Sequence, residues 1–398
     1  MTTPVSKGPL ADLRVVEMGQ LIAGPFCGQL MGDMGAEVIK LEPPGAGDPM
    51  RQWGRGQPVW WEVIARNKQS ASLNLRTPEG QVLARRLIAT ADILIENFRP
   101  GTLESWNLSP ESLMTDNPRL IVVRMSGYGQ TGPYAERTSF GLIGEAMGGW
   151  RHIVGEPDRP PSRMGVSIGD SLAATYGCLG ALSALHERER TGLGQIVDSA
   201  LYEAVLQVME SLIPEYTIAG MTRERSGAFL PGIAPSNVYA CRDGDYLIGA
   251  NQDGIFRRLC HAMDRPELAN DPRYATHAAR GASQAELDVL INEWTLTRDI
   301  AEVESLLIEN GVPAGKVYRA PEMLEDPHFA AREAIVRMPH PRWGEVAMQN
   351  VFPKLSRTPG AVHSIAPQTV GQDNADIWGG ILGLSNDEIQ AFAANGIM

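Results

Sequence analysis

The sequence predicts an α/β protein: a parallel sheet with helices on its faces, followed by a smaller α+β domain. Three observations lead there. From residue 10 to about residue 125, short β-type runs alternate with helical patterns, the order that βαβ crossovers impose on a parallel sheet. At 398 residues the chain is longer than a single core usually serves, since cores rarely grow beyond about 250–300 residues. Near residue 222 the character changes, and a hairpin pattern with short helices replaces the alternation.

The elements follow in order. Leu13–Met18 reads as the first strand, then the turn Ala23-Gly-Pro25 and a helical segment from Phe26 to Met34. Glu37–Glu42 and Ala71–Leu75 read as strands. Thr77 before Pro78 opens a helix, because a hydroxyl N-cap followed by proline at the first helical position is a start signal. Asp92–Glu96 and Leu120–Arg124 are the next strands, and a sheet of this kind binds ligands at its carboxyl edge. A loop-rich stretch, Ser126–Tyr134, and a proline-rich one, Glu156–Ser162, come next. Gly165–His186 then reads as a glycine turn that delivers Asp170 to the first position of a long small-residue helix, stopped by the charged run ending at Gly192. Gln195–Asp198 is a strand, and a helix with Leu201, Val205, Val208 and Leu212 on one face follows. Val238–Gly249 reads as a hairpin turning at Asp243-Gly244, and Asn386–Ala394 as a closing amphipathic helix.

Composition narrows the function. Lys+Arg 35 against Asp+Glu 47 gives a net charge of -12, which argues against nucleic acid or an anionic membrane as the main partner. Any phosphate-bearing ligand must therefore meet a local basic patch. Four cysteines, Cys27, Cys178, Cys241 and Cys260, show neither metal spacing nor a secreted framework, so reduced thiols and no metal site are expected. No targeting segment or apolar run long enough to span a membrane is seen, and a soluble cytoplasmic protein is the expectation.

Asp170 is the candidate functional residue, and two readings of it are open. The plainer one is a helix N-cap, accepting bonds from free amides. The sharper one is a carboxylate nucleophile, kept ionised by those amides and by the helix dipole, beside donors that could steady an oxyanion.

An ordered set of motifs bears on the choice: Ala23-Gly-Pro25, Gly47-Asp48-Pro49 with Arg51, Asn67-Lys68, Glu96–Gly101, Ser126–Pro133, Gly169-Asp170, Val312–Gly315, Asp326-Pro327, Pro353–Gly360 and Leu382–Ser385. Over nearly its whole length the chain resembles the family III CoA-transferases, the group of the formyl-CoA:oxalate and carnitine CoA-transferases. The resemblance implies a Rossmann-like large domain built from both chain ends (1–221 and 331–398), a small domain between them (222–330) and an interlocked homodimer. It implies that Asp170 attacks an acyl-CoA thioester, passing through an aspartyl anhydride and an aspartyl-CoA thioester. CoA and acyl-CoA are then substrates, and no separate cofactor is expected. It further implies CoA contacts at Gln20, Leu21, Ile22 and Ala23, at Leu73 and Arg76, at Asn97, Phe98 and Arg99, and at Arg137. A covering loop is implied at Gly249–Gly254, although only its end positions are glycine.

The sequence departs from the pattern in two places. A basic residue carried by some relatives is Ser105 or Trp106 here, and an acid of oxalate-using relatives is Gly141. The nearest rival, α-methylacyl-CoA racemase, resembles the chain too but pairs its aspartate with a histidine, expected around Ser139–Gly141; only His152 is near. A dinucleotide-binding oxidoreductase is the rival of another class. Gly45-Ala-Gly47 is its best match, and with Pro43, Pro44 and Pro49 around it the segment reads as a turn. Arg151, Arg163, Arg223 and Arg225 are the candidates for clamping a second carboxylate, which would favour small dicarboxylic acids.

Overall fold

The computed structural model describes residues 8–398. Six strands form one sheet: β1 (Arg14–Glu17), β2 (Glu37–Glu42), β3 (Lys68–Ser72), β4 (Ile93–Glu96), β5 (Ile121–Ser126) and β6 (Ile196–Ala200). Their order is β3-β2-β1-β4-β5-β6, and every neighbouring pair is parallel. This is the doubly wound Rossmann order, whose direction reverses between β1 and β4. The central strands β4 and β5 are buried throughout, which explains why their sequences are continuous apolar runs instead of alternating ones.

The helices that bear on the site are α1 (Ala23–Asp33), α2 (Pro78–Ile88), α3 (Gly141–Met147), α4 (Ile168–Thr191) and α5 (Leu201–Leu206). Thr77 caps α2 as expected, its hydroxyl accepting from the Gly80 amide with Pro78 next. Glycine and alanine in α4 let it lie flat on the sheet. A methyl on Gly180 would come within 2.5 Å of Val197 Cγ1, and one on Gly177 within 3.2 Å of Val123 Cγ1. The helix ends at Gly192, which takes the left-handed conformation (φ 77°) that glycine adopts without strain.

Two expected details change. Asp170 is the third residue of α4, because the helix starts at Ile168 after Ser167 in a non-helical conformation. The helix expected to carry Leu201, Val205, Val208 and Leu212 is broken: α5 stops at Leu206, Glu210 has a positive φ of 54°, and a new helix begins at Leu212.

Two compact units are distinguishable. One comprises the chain as far as Trp150, with Met164–Ser211 and His328–Met398; the other comprises Arg151–Arg163 and Leu212–Pro327. In the first, the C-terminal stretch closes the sheet edge at β3. Asp373 and Asn374 accept from the Ser70 and Ser72 amides (2.7 and 2.9 Å), and Asn67 binds Ala361, His363 and Ser364. Covering an edge strand in this way removes a surface that invites pairing with another chain. Trp378, fully buried, belongs to the same core cluster as Leu83, Leu87 and Leu94. Trp378→Ala is expected to cost about 3–5 kcal/mol of stability, measured by urea unfolding; a loss near zero would mean that the tail is not part of this core. The second unit holds the hairpin Ser236–Cys241/Gly244–Gly249, joined by Ala314–Lys316 and packed on short helices.

Candidate functional site

The carboxyl edge of the sheet gathers most of the residues singled out in the sequence. As the crossover between β5 and β6, α4 begins at that edge, with Asp170 half-buried in its first turn. The carboxylate lies directly against the bare Cα of Gly141, the first residue of α3. A methyl on Gly141 would fall 2.1 Å from Asp170 Oδ2 and 2.7 Å from its Cγ. Gly169 faces the Gly141 carbonyl in turn, which would lie 2.9 Å from a methyl added there. Between β5 and α3 the chain folds tightly enough that Gly127 abuts the Ser139 side chain. Asp198 on β6 fastens the same loop by accepting from the Gln130 amide at 2.8 Å. Burial, only partly offset by that bond, raises the Asp198 carboxyl above its ordinary value.

At the reversal point, the loops after β1 and β4 are laced together. Gln20 donates its amide to Asn97 Oδ1 at 2.8 Å, and Asn97 Nδ2 donates back to the Gln20 carbonyl at 2.9 Å. Phe98 donates its amide to Glu96 and packs edge-on against Trp106 at 5.1 Å. Arg99 reaches the loop after β5, donating to the Glu136 carbonyl at 2.7 Å. That bond brings it beside Arg137, which stacks over the Tyr134 ring at 3.6 Å. Two exposed arginines of one loop cluster thus supply a local basic patch on an acidic chain, and guanidinium forks suit phosphate.

The remaining expected contacts are distributed differently. Leu21, Ile22 and Ala23 run from the β1 loop into α1, Ala23 being buried. Leu73 is committed to the core, whereas Arg76, just past β3, is exposed. These two lie at the edge strand, away from the Gln20–Asn97 junction. Gly249–Gly254 is not a free loop: Gly249 ends a strand, Asp253 opens a helix, and the fully buried Arg280 binds both the Asn251 carbonyl and Asp253. Among the clamp candidates, Arg223 grips Glu215, and Arg225 donates to the carbonyls of His152 and Glu156, all within the second unit. His152 is exposed and pairs with Glu224 at 3.0 Å. Gly45 and Gly47 sit in a turn with φ of 81° and 67°.

Sequence reasoning missed the buried charges beneath this edge. Lys40 and Lys68, on neighbouring strands, both bind Glu17, at 2.8 and 2.6 Å. Arg124 binds Glu96 at 2.7 Å and Glu104 at 2.9 Å. Burial pushes the Glu96 carboxyl up to about 7 against the pull of Arg124. The available signal was a lysine inside an otherwise apolar strand, Val38-Ile-Lys-Leu41, and an acid closing three strands at Glu17, Glu42 and Glu96.

Residues 10–374 match CoA-transferase family III. The chain belongs to that family. It is 56% identical over 395 residues to the succinyl-CoA–D-citramalate CoA-transferase of Chloroflexus aurantiacus, covering 98% of each chain. It is 39% identical over 389 residues to the succinyl-CoA–L-malate CoA-transferase beta subunit of the same organism, covering 96% of each. Among solved structures it resembles a CAIB/BAIF family protein from Brucella suis, with a TM-score of 0.85 and 35% identity over 94% of this chain and 99% of that one. The protein is therefore a CoA-transferase, and the racemase reading is not favoured. No helix among the described residues is long and apolar enough to cross a membrane.

Proposed function

We propose that the transferase moves CoA from succinyl-CoA, or a similar dicarboxylic acyl-CoA, to a small dicarboxylate such as citramalate, malate, itaconate or mesaconate, with Asp170 as the acyl carrier. The observation that carries this reading is the contact of the Asp170 carboxylate with the bare Cα of Gly141, at the start of α4. A carboxylate is ionised at neutral pH, with an ordinary pKa near 3.9, and attacks without a general base. One oxygen adds to the thioester carbonyl carbon, the C–S bond breaks, and CoA leaves as thiolate. Return of the thiolate to the aspartyl carbonyl expels the donor acid and leaves an aspartyl-CoA thioester. The acceptor carboxylate then runs the two steps in reverse. Amides of the first helical turn are suited to steadying each oxyanion.

The substrate class is supported by the names of the two similar Chloroflexus proteins, both succinyl-CoA transferases acting on small dicarboxylates. On this reading Gln20–Ala23, Asn97–Arg99 and Arg137 form the CoA site, with Arg76 and Leu73 near the nucleotide. The working molecule is a homodimer in a reducing cytoplasm. Support comes from large apolar residues left exposed, among them Ile218, Phe352, Tyr216, Met221 and Leu179, and from four unpaired thiols. Light scattering should give about twice the chain mass of 43.2 kDa.

The substrate test is a panel of acceptor acids incubated with succinyl-CoA, each CoA ester being read by mass. Dicarboxylates are expected to outrun monocarboxylates of equal length by on the order of tenfold or more, the effect of one charge-assisted bidentate contact. Faster monocarboxylates would overturn the substrate class while leaving the transferase chemistry intact.

A further inference from the structure

Beneath the turn between β1 and α1 lies a cluster of four charged side chains, each at most 1% exposed: Glu17, Lys40, Asp48 and Lys68. Glu17 bridges the two lysines, and Lys40 also holds Asp48 at 2.9 Å. Desolvating such charges is costly, and a well-packed apolar cluster of the same volume would often serve stability as well or better. Where the remaining protons and lone pairs go is therefore informative.

Most of them go to that turn and the start of α1. Lys40 donates to the Gly19 carbonyl at 2.7 Å, and Lys68 to the Pro25 carbonyl at 2.6 Å. Asp48 accepts from the Leu21 amide at 3.1 Å and from the Met50 amide at 2.9 Å. With the Gln20–Asn97 pair, the turn is tied at Gly19, Gln20, Leu21 and Pro25. Leu21 needs such a tie, because its φ of 63° is left-handed, a conformation leucine rarely adopts unless its surroundings impose it. Burial works against the Asp48 carboxylate, but Lys40 and the Met50 and Leu21 amides together outweigh it and hold the carboxyl below its ordinary value.

We infer that Asp48 is a positioning residue: backed by the Lys40–Glu17–Lys68 cluster, it holds Leu21 and its neighbours in the shape that receives the CoA ester before the ester arrives. This rests on the reading of Gln20–Ala23 as part of the CoA site. Preorganising a binding loop lowers the cost of ordering it on binding, so the device should act on the affinity for CoA esters and leave the chemical step alone.

Asp48→Asn keeps an oxygen for the two amides but removes the charge that Lys40 holds. In the full-length protein, KM for succinyl-CoA is expected to rise about tenfold, with kcat and the KM of the acceptor acid within about twofold of the parent. An unchanged KM, or a fall in kcat alone, would overturn the inference. A second measurement needs no variant: in the parent protein, hydrogen exchange at Leu21 should be slow without ligand and little altered by CoA. Fast exchange that slows only when CoA is added would mean that the ligand shapes the turn, and the inference would fail. Loss of the wider reading looks different: the parent itself would then show no CoA-dependent turnover and no hydroxylamine-sensitive adduct on Asp170.

Discussion

Replacing Asp170 by Asn is expected to leave a folded protein that no longer transfers CoA. The substitution changes one oxygen for an amide nitrogen and barely alters shape, but an amide is neither ionised nor able to form the anhydride. Loss of a nucleophile on which every later step depends typically costs on the order of 10⁴-fold or more in kcat. The plainer reading of the same residue makes a different forecast. A capping acid is worth about 1 kcal/mol to the helix and nothing to turnover. Ser167 stands at the cap position and Asp170 one turn inside it, so a structural role for Asp170 would be that of a first-turn acid and not of the cap itself. An acid in the first turn of α4 also interacts favourably with the helix dipole, which is worth about 0.3–1 kcal/mol. The parent incubated with succinyl-CoA should carry a hydroxylamine-sensitive mass increase on the peptide containing Asp170, and the Asn variant none. Turnover by the variant at the parental rate would remove Asp170 from the mechanism altogether.

Much of this site could be read from the chain because its cues are local. Apolar runs mark β4 and β5, Thr77-Pro78 marks the start of α2, and glycine beside an acid marks α4. Periodicity goes astray where a local backbone choice intervenes. The core stripe through Leu201 and Val205 continues smoothly in sequence, yet the positive φ of Glu210 separates two helices. What lies beyond local reading is pairing at a distance. Asn67 meets Ala361, and Ser70 meets Asp373, about three hundred residues apart. The chain shows Lys40 inside an apolar strand and Asp48 and Lys68 within motifs, but not that they meet at Glu17 or at one another, which follows only once the strand order puts β1, β2 and β3 side by side. The CoA contacts expected at Gln20 and Asn97 came from the resemblance to the transferases, and the fold accounts for their meeting: the strand order reverses between the parallel neighbours β1 and β4, so the loops that follow these two strands lie side by side.

The same contact that singles out Asp170 makes the second large effect, at Gly141. Alanine there cannot coexist with the carboxylate as it stands, because its methyl would lie 2.1 Å from Oδ2. Either the Asp170 side chain turns away or the first turn of α3 retreats, and both change the position of the carboxylate relative to α3 by about the length of a bond. Misplacing a reacting group by about 1 Å costs on the order of 10²-fold, so Gly141→Ala should lower kcat by about that factor or more with little change in KM for the CoA ester. Overpacking itself carries a stability cost of about 1–3 kcal/mol, and a control is needed to separate it from the catalytic effect. Gly144, one turn further along α3, provides one: a methyl there would meet Leu201 Cβ at 2.6 Å, and its nearest neighbours belong to Leu201 and Tyr202. Gly144→Ala should therefore lose comparable stability in urea unfolding while keeping kcat within a few-fold of the parent. If the two variants lose activity equally, the effect belongs to the packing of α3 and not to the carboxylate. If Gly141→Ala keeps full activity, the Asp170 side chain works from a different rotamer, and its contact with Gly141 is not the arrangement in which the thioester is attacked.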